Sequence, residues 1–241
     1  MTAATAIKPL LLGPGVQVQL RKIGVEQQPL LVVDEVLADP RAMIDAAGDA
    51  DFYVPTHTHY PGLNAPVPEA YYRTVVTALR GPIEAAFGLS SQAYLKYFGF
   101  FALATTGVGQ AEPIQKIPHH DSPDPNRLAM VHYLCRGEFG GTGFFRHRAT
   151  GFESVDQSRH AAYVAAAQAE LAQSGQTLKA YAGRDTANYE LIGEAEPVFN
   201  RLIIYRNHVL HSALLGAEAG SADPARGRLT ANGFIEAVRS G

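Results

Sequence analysis

The chain has 241 residues, with 20 Lys and Arg against 23 Asp and Glu, a net charge of −3 with histidine neutral, and 46% hydrophobic against 18% charged residues. This balance excludes global disorder and leaves no basic excess for nucleic acid or an anionic membrane surface. The single cysteine, Cys135, excludes an intrachain disulfide and a multi-cysteine zinc site, and a reducing cytoplasm is the expected setting.

The first apolar run is interrupted at Gly13 and Pro14, too soon for a signal peptide, and no later stretch is predicted to span a bilayer. Val16 to Ile23 alternates apolar and polar residues and Pro29 to Val36 is a β-branched run, so both are predicted strands. Asp39 and Pro40 then supply an acidic N-cap and a first-turn proline for a helix to about Asp49. Residues 51–68 hold four prolines and no helical period, which predicts a long loop. It carries His57 and His59, an alternating pair that rivals other metal ligands but has no carboxylate nearby. Glu69 to Gly88 reads as a helix broken in two near Gly81 and Pro82.

Gln92 to Thr106 is aromatic and β-prone, a strand against the core. Leu128 to Cys135 is a further strand, Gly140 to Gly143 a turn, and Phe144 to Phe152 another strand. Val155 to about Gln173 is alanine-rich and predicted helical, ending at Gly175. Tyr189 to Ile192, Val198 to Tyr205 and Arg228 to Glu236 complete the predicted strands. The whole is expected to be one mainly β, barrel-forming domain over residues 1–241, with a helical N-terminal part at about 37–90 packed on the barrel.

The chemistry concentrates in Ile117-Pro-His-His-Asp121. In an extended segment His119 and Asp121 face one side and His120 the other, and one imidazole with one carboxylate is two thirds of the triad that holds non-haem iron(II) on one face. A second histidine must come from elsewhere, and His208 and His211 are available. His211 is preferred because it ends an apolar strand where a barrel strand would reach the mouth, whereas His208 follows Asn207 in an apparent turn. Iron with three protein ligands needs a co-ligand for oxygen activation. A 2-oxo acid fits that need, and its far carboxylate calls for a cation. Arg228 and Thr230 alternate on the last strand, so a guanidinium and a hydroxyl face one carboxylate. Tyr133 is a further candidate for the cosubstrate, set against a core role. Arg146, His147 and Arg148 could meet an acidic substrate, but alternation and salt bridging favour a structural reading. Arg201 is read as structural and Cys135 as a buried small hydrophobe.

Pro-His-His-Asp, Gly140-Gly-Thr, Asn200-Arg-Leu-Ile-Ile-Tyr with His211, and Gly227-Arg-Leu-Thr together resemble the iron(II)/2-oxoglutarate-dependent dioxygenases of prolyl-hydroxylase type. Val33-Asp-Glu-Val-Leu looks like their entry segment, and Tyr60-Pro-Gly-Leu-Asn-Ala-Pro resembles a bacterial branch. The similarity runs from about residue 30 to the C-terminus. It implies a double-stranded β-helix (jelly-roll, cupin-like), iron(II) on His119, Asp121 and His211, and 2-oxoglutarate on Arg228 and Thr230. The 17-residue step from His211 to Arg228 is longer than in many relatives, and the Ala/Gly-rich loop from Gly216 to Gly227 accounts for it as an insertion. With Asp121 as a ligand, a hydroxylase is expected over a halogenase, acting on a small molecule or a peptide. The alternatives are a non-catalytic cupin-like binding module and a zinc hydrolase on the same triad.

Overall fold

Period-two alternation in the long strands builds a sheet with two apolar faces, and each face finds a different cover. The structure, a computed structural model, describes residues 10–56, 58–174 and 178–238. In chain order its elements are β1 (Gln17–Ile23), β2 (Gln28–Asp34), α1 (Arg41–Gly48), β3 (Gly62–Pro66), α2 (Glu69–Ala78), α3 (Arg80–Phe87), β4 (Tyr94–Ala104), β5 (Arg127–Tyr133), β6 (Thr142–His147), α4 (His160–Ser174), β7 (Tyr189–Ala195), β8 (Leu202–Arg206), β9 (His211–Ala213) and β10 (Leu229–Val238). The larger sheet runs β1-β2-β8-β5-β10-β4-β3 and the smaller β7-β6-β9, with every pairing antiparallel. This is the jelly-roll arrangement expected of the sequence.

One face of the larger sheet carries Leu31, Val33, Leu128, Met130, Leu202, Ile204, Leu229 and Ala231, which pack with Met43, Tyr71, Val75, Ile83 and Phe87 of the helices. The opposite face carries Leu30, Val32, Ala129, Tyr133, Ile203 and Tyr205 and meets Phe144 of the smaller sheet. Since adjacent residues point to opposite faces, Tyr133 looks into the barrel while His132 looks to the helices. There His132 accepts from the Tyr71 hydroxyl (3.1 Å) and donates to the Asn200 side-chain oxygen (3.2 Å). A third cluster joins Phe145, Val155, Tyr189 and Leu210 to Tyr163 of α4. Among the described residues no helix is long and apolar enough to cross a membrane.

Several local expectations are corrected. Residues 51–68 are not all loop, because Gly62–Pro66 pairs with β4 as an edge strand. An edge tolerates Pro66, whose missing N–H would be fatal only in a central strand. Gly62 is required at the crossing, since a Cβ there would lie 1.9 Å from the Leu103 carbonyl. The strand predicted over Phe144–Phe152 ends at His147, where a turn closes by Gly151 N–H donation to the His147 carbonyl, with Gly151 at φ +72. The helix expected from Val155 begins at His160. Val155 is held by the His208 carbonyl, and Asp156 accepts from the Ser158 and Arg159 amides. Its predicted stop at Gly175 lies outside the described residues. The N-cap of α1 is Pro40, not Asp39, and no side chain caps it. The strand expected from Val198 starts at Leu202, because Asn200 is left-handed (φ +65) and its amide is tied to Leu37 N and O at 3.1 and 2.9 Å.

Candidate functional site

A 3-10 turn over Pro113–Lys116, closed by a Glu112/Gln115 capping box, delivers the chain to Ile117. Pro118 bars the helical region to the residue before it, and Ile117 is extended at φ −114, ψ 154. The Tyr163 hydroxyl donates to the Pro118 carbonyl at 3.2 Å and ties the segment to α4. His119 then exchanges both backbone hydrogen bonds with His211, at 3.0 and 2.8 Å, so it lies as an extra rung beyond β9. The Asp121 amide donates to the Asn207 carbonyl at 2.9 Å, fixing the carboxylate to the turn that leads into β9.

Through these backbone contacts three side chains separated by up to 92 positions converge. One ligand atom from each of His119, Asp121 and His211 lies within 4.8 Å of the others. Nε2 of His119 is 3.6 Å from one Asp121 oxygen and Nε2 of His211 is 3.6 Å from the other. His211 donates from Nδ1 to the Val209 carbonyl at 2.9 Å, which assigns its tautomer and turns Nε2 with its lone pair towards Asp121. Burial holds the His211 imidazole down at about 4, against the pull of Asp121, so the ring is neutral and free to donate electrons at ordinary pH. For Asp121 burial works against ionisation, but His211 and then His119 more than offset it, and the carboxyl lies below the usual range. Two imidazole nitrogens and a carboxylate at this spacing fit a divalent first-row cation. Among the described residues no other three His, Cys, Asp or Glu side chains converge in this way.

The same cavity, about 570 Å³, is also lined by Arg228. This residue is only 4% exposed, and its guanidinium donates to the Gly140 carbonyl at 2.8 Å and the Gly141 carbonyl at 3.0 Å. Both glycines are needed for that approach, since a Cβ on Gly140 would meet the Leu214 carbonyl at 1.6 Å and one on Gly141 the Ala195 carbonyl at 1.9 Å. Among the described residues no carboxylate pairs with Arg228. Thr230 lies on the same face of β10, fully buried, its hydroxyl 3.5 Å from the Ala102 carbonyl. Tyr133 places its ring 5.8 Å below the guanidinium, while its hydroxyl is engaged with Thr142 at 2.7 Å. Two tyrosines not singled out from the sequence complete this end. Burial pushes the Tyr60 phenol up to about 12 against the influence of Arg228, and its buried oxygen stands beside the side chains of Arg228 and Thr230. Tyr205 packs edge-on to His211 at 4.8 Å, and burial raises its phenol well above the usual range, with Asp121 and Arg228 both close enough to act on it.

A family model described as a family of unknown function, DUF6445, matches residues 14–235. The chain belongs to the DUF6445 family. No curated protein matches it. Among solved structures, HygX from Streptomyces hygroscopicus, with nickel and 2-oxoglutarate bound, is 10% identical at a TM-score of 0.50, covering 88% of this chain and 84% of its own. SnoK, a non-haem α-ketoglutarate-dependent carbocyclase of nogalamycin biosynthesis, is 10% identical at 0.50, covering 90% and 84%. A Pseudomonas putida prolyl-4-hydroxylase is 18% identical at 0.43, covering 85% and 84%. The DUF6445 chain therefore has the fold of the 2-oxoglutarate-dependent oxygenases.

The remaining sequence candidates in this DUF6445 chain fall elsewhere. His208 is buried away from the cluster, in the turn before Val209, with burial lowering its pKa. His120 points to α4, with ring centroids 5.3 Å from His160 and 5.7 Å from Tyr163. His59 lines the cavity and His57 lies outside the described residues. Arg146 is paired with Glu153 and Glu190, and His147 turns the other way to Thr150 and Glu170, so neither lines the cavity. Arg201 grips Asp34 with two hydrogen bonds at 2.6 and 3.0 Å, and Cys135 is buried. The tyrosines at 60 and 205 were present in the motifs, but nothing in a string of letters tells a phenol facing a cavity from one in a core.

Proposed function

We infer that this protein is an iron(II)- and 2-oxoglutarate-dependent oxygenase that hydroxylates a C–H bond of its substrate. The observation that carries this reading is Arg228, a buried guanidinium with no carboxylate partner among the described residues, set in the cavity that holds the His119, Asp121 and His211 cluster. A buried cation costs several kcal/mol unless an anion meets it, so the site is built to receive one. A dicarboxylate with a keto group adjacent to one end answers both features. Arg228 would meet its far carboxylate, and a metal held by His119, Asp121 and His211 would meet its near end. HygX, with the same fold, binds nickel and 2-oxoglutarate.

In this reading His119, Asp121 and His211 hold iron(II), and Arg228 with Thr230 holds the far carboxylate of 2-oxoglutarate. The bound pair with dioxygen supplies the oxidation, in which 2-oxoglutarate leaves as succinate and carbon dioxide and one oxygen atom enters the substrate C–H bond. The chain's own residues orient and insulate that chemistry. The Val209 carbonyl fixes the His211 tautomer, the carbonyls of Gly140 and Gly141 aim the guanidinium, and the Tyr60 hydroxyl lies beside Arg228 and Thr230 where the same carboxylate would sit. Tyr133 and Thr142 satisfy each other and stiffen the wall beneath it. The test is succinate formation from 2-oxoglutarate by iron-loaded protein in air. Succinate above the metal-free control is expected, and a metal-loaded protein that neither binds nor consumes 2-oxoglutarate would overturn the reading.

A further inference from the structure

Beyond the triad and Arg228 the cavity changes character. On its sheet side, Asn232 of β10 stands opposite Phe100 of β4 and Val131 of β5, with Phe234 two residues on. The rings of Phe100 and Phe234 are 6.4 Å apart, and Phe98 continues the row at 5.8 Å from Phe100 into solvent. From α4 come Val164 and Leu171. Among the described residues the only Asp, Glu, Lys or Arg side chains on the wall are Asp121 and Arg228, which the oxygenase reading assigns to the metal and the cosubstrate. Arg146, the basic residue nearest in the sequence reading to a substrate contact, is neutralised elsewhere by Glu153 and Glu190. Uncharged polar groups also reach the wall, Gln168 between Val164 and Leu171 and Gln115 before Ile117, but on the sheet side beside Phe100 and Phe234 it is the Asn232 side-chain oxygen that is buried without a partner. Either orientation of that amide presents a donor and an acceptor.

We propose that this half of the cavity binds an uncharged, largely apolar substrate, an aromatic ring or a hydrocarbon body of similar size, carrying one hydrogen-bonding group that meets Asn232. The inference rests on the oxygenase reading, which assigns Arg228 to the cosubstrate and leaves no counter-charge for a charged substrate. An ion entering this patch would lose its water with nothing to replace it, whereas a ring laid on Phe100 and Phe234 gains in proportion to the area covered. The unpaired Asn232 side-chain oxygen selects among apolar ligands for one that can bond to it, because leaving it dry and unpaired is costly.

The test uses matched naphthyl probes on zinc-loaded protein saturated with 2-oxoglutarate, where no turnover occurs. The chain has no tryptophan, so the fluorescence of each probe reports its own binding. 2-Naphthol is expected to bind at least tenfold more tightly than 2-naphthoate or 2-naphthylmethylammonium and about fivefold more tightly than naphthalene. In the Asn232→Leu variant the advantage of naphthol over naphthalene should vanish while naphthalene still binds, which also shows that the variant has folded. If that variant does not fold, the charge series on the unaltered protein decides. A charged probe binding as tightly as naphthol, or no naphthyl probe binding at all, would overturn the inference. If 2-oxoglutarate itself fails to bind, it is the oxygenase reading that falls. The charge series is then decided on Arg228→Gln protein, which offers naphthoate no cation.

Discussion

Arg228 and His132 are buried polar residues that behave in opposite ways. The Arg228 guanidinium has no carboxylate partner among the described residues, so on the proposed function Arg228→Gln should weaken 2-oxoglutarate binding thirtyfold or more while zinc binding in its absence stays intact, as calorimetric titration of the two ligands would show. The imidazole of His132 gives up its charge: burial holds it down at about 4, between Tyr71 and Asn200. Its pKa is near 6.5 in the unfolded chain, which therefore takes up the proton first as pH falls. Stability should decline between pH 6.5 and about 4, with this one residue contributing on the order of 3 kcal/mol. Urea unfolding across that range should show a flatter pH dependence for His132→Gln than for the unaltered protein, and equal slopes would refute the assignment. At this scale the sequence was informative where chemistry is local. His119 and Asp121 declare themselves by spacing, and Arg228 with Thr230 by alternation. Tyr60, Tyr205 and Asn232 did not, because their roles depend on which cavity wall they join.

Gly140 and Gly141 show how an element, not a residue, prepares the site. They let the chain before β6 press against Leu214 and Ala195, and their carbonyls then aim the guanidinium that leads into β10. Gly141→Ala places a Cβ where the Ala195 carbonyl stands, so it should cost about 2–4 kcal/mol in urea unfolding and loosen 2-oxoglutarate at least tenfold. A variant of unchanged stability would mean that the strand edge yields more easily than its contacts imply. Strand existence was legible from alternation and β-branched runs, and boundaries were less so. Asn200 cut one strand short through a left-handed backbone clamped to Leu37, and the proline-rich stretch hid β3 because an edge position forgives a proline. Both are tertiary effects that no window of neighbouring residues contains.

At the scale of the molecule, the larger sheet is shared between the helical cover and the barrel interior, and both packing faces draw on the same strands. We therefore expect residues 14–235 to unfold as one unit. A single calorimetric transition is predicted, moved upward by metal and further by 2-oxoglutarate, each in proportion to the logarithm of its concentration over its dissociation constant. Two separated transitions would argue for an independent helical part. The mainly β class was legible in eight predicted strands and the jelly roll in the motifs that resemble the 2-oxoglutarate-dependent oxygenases, whereas the pairing of His119 with His211 of β9 needed the fold itself.

The most direct measurement is an anaerobic titration of iron(II)-loaded protein with 2-oxoglutarate, followed by the visible absorption that a keto acid chelated to iron(II) produces. The account predicts a band that saturates at one 2-oxoglutarate per chain and is absent from His211→Ala protein with an unchanged circular dichroism spectrum. Iron-loaded protein that develops no band, or a His211→Ala variant that develops the same one, would contradict it.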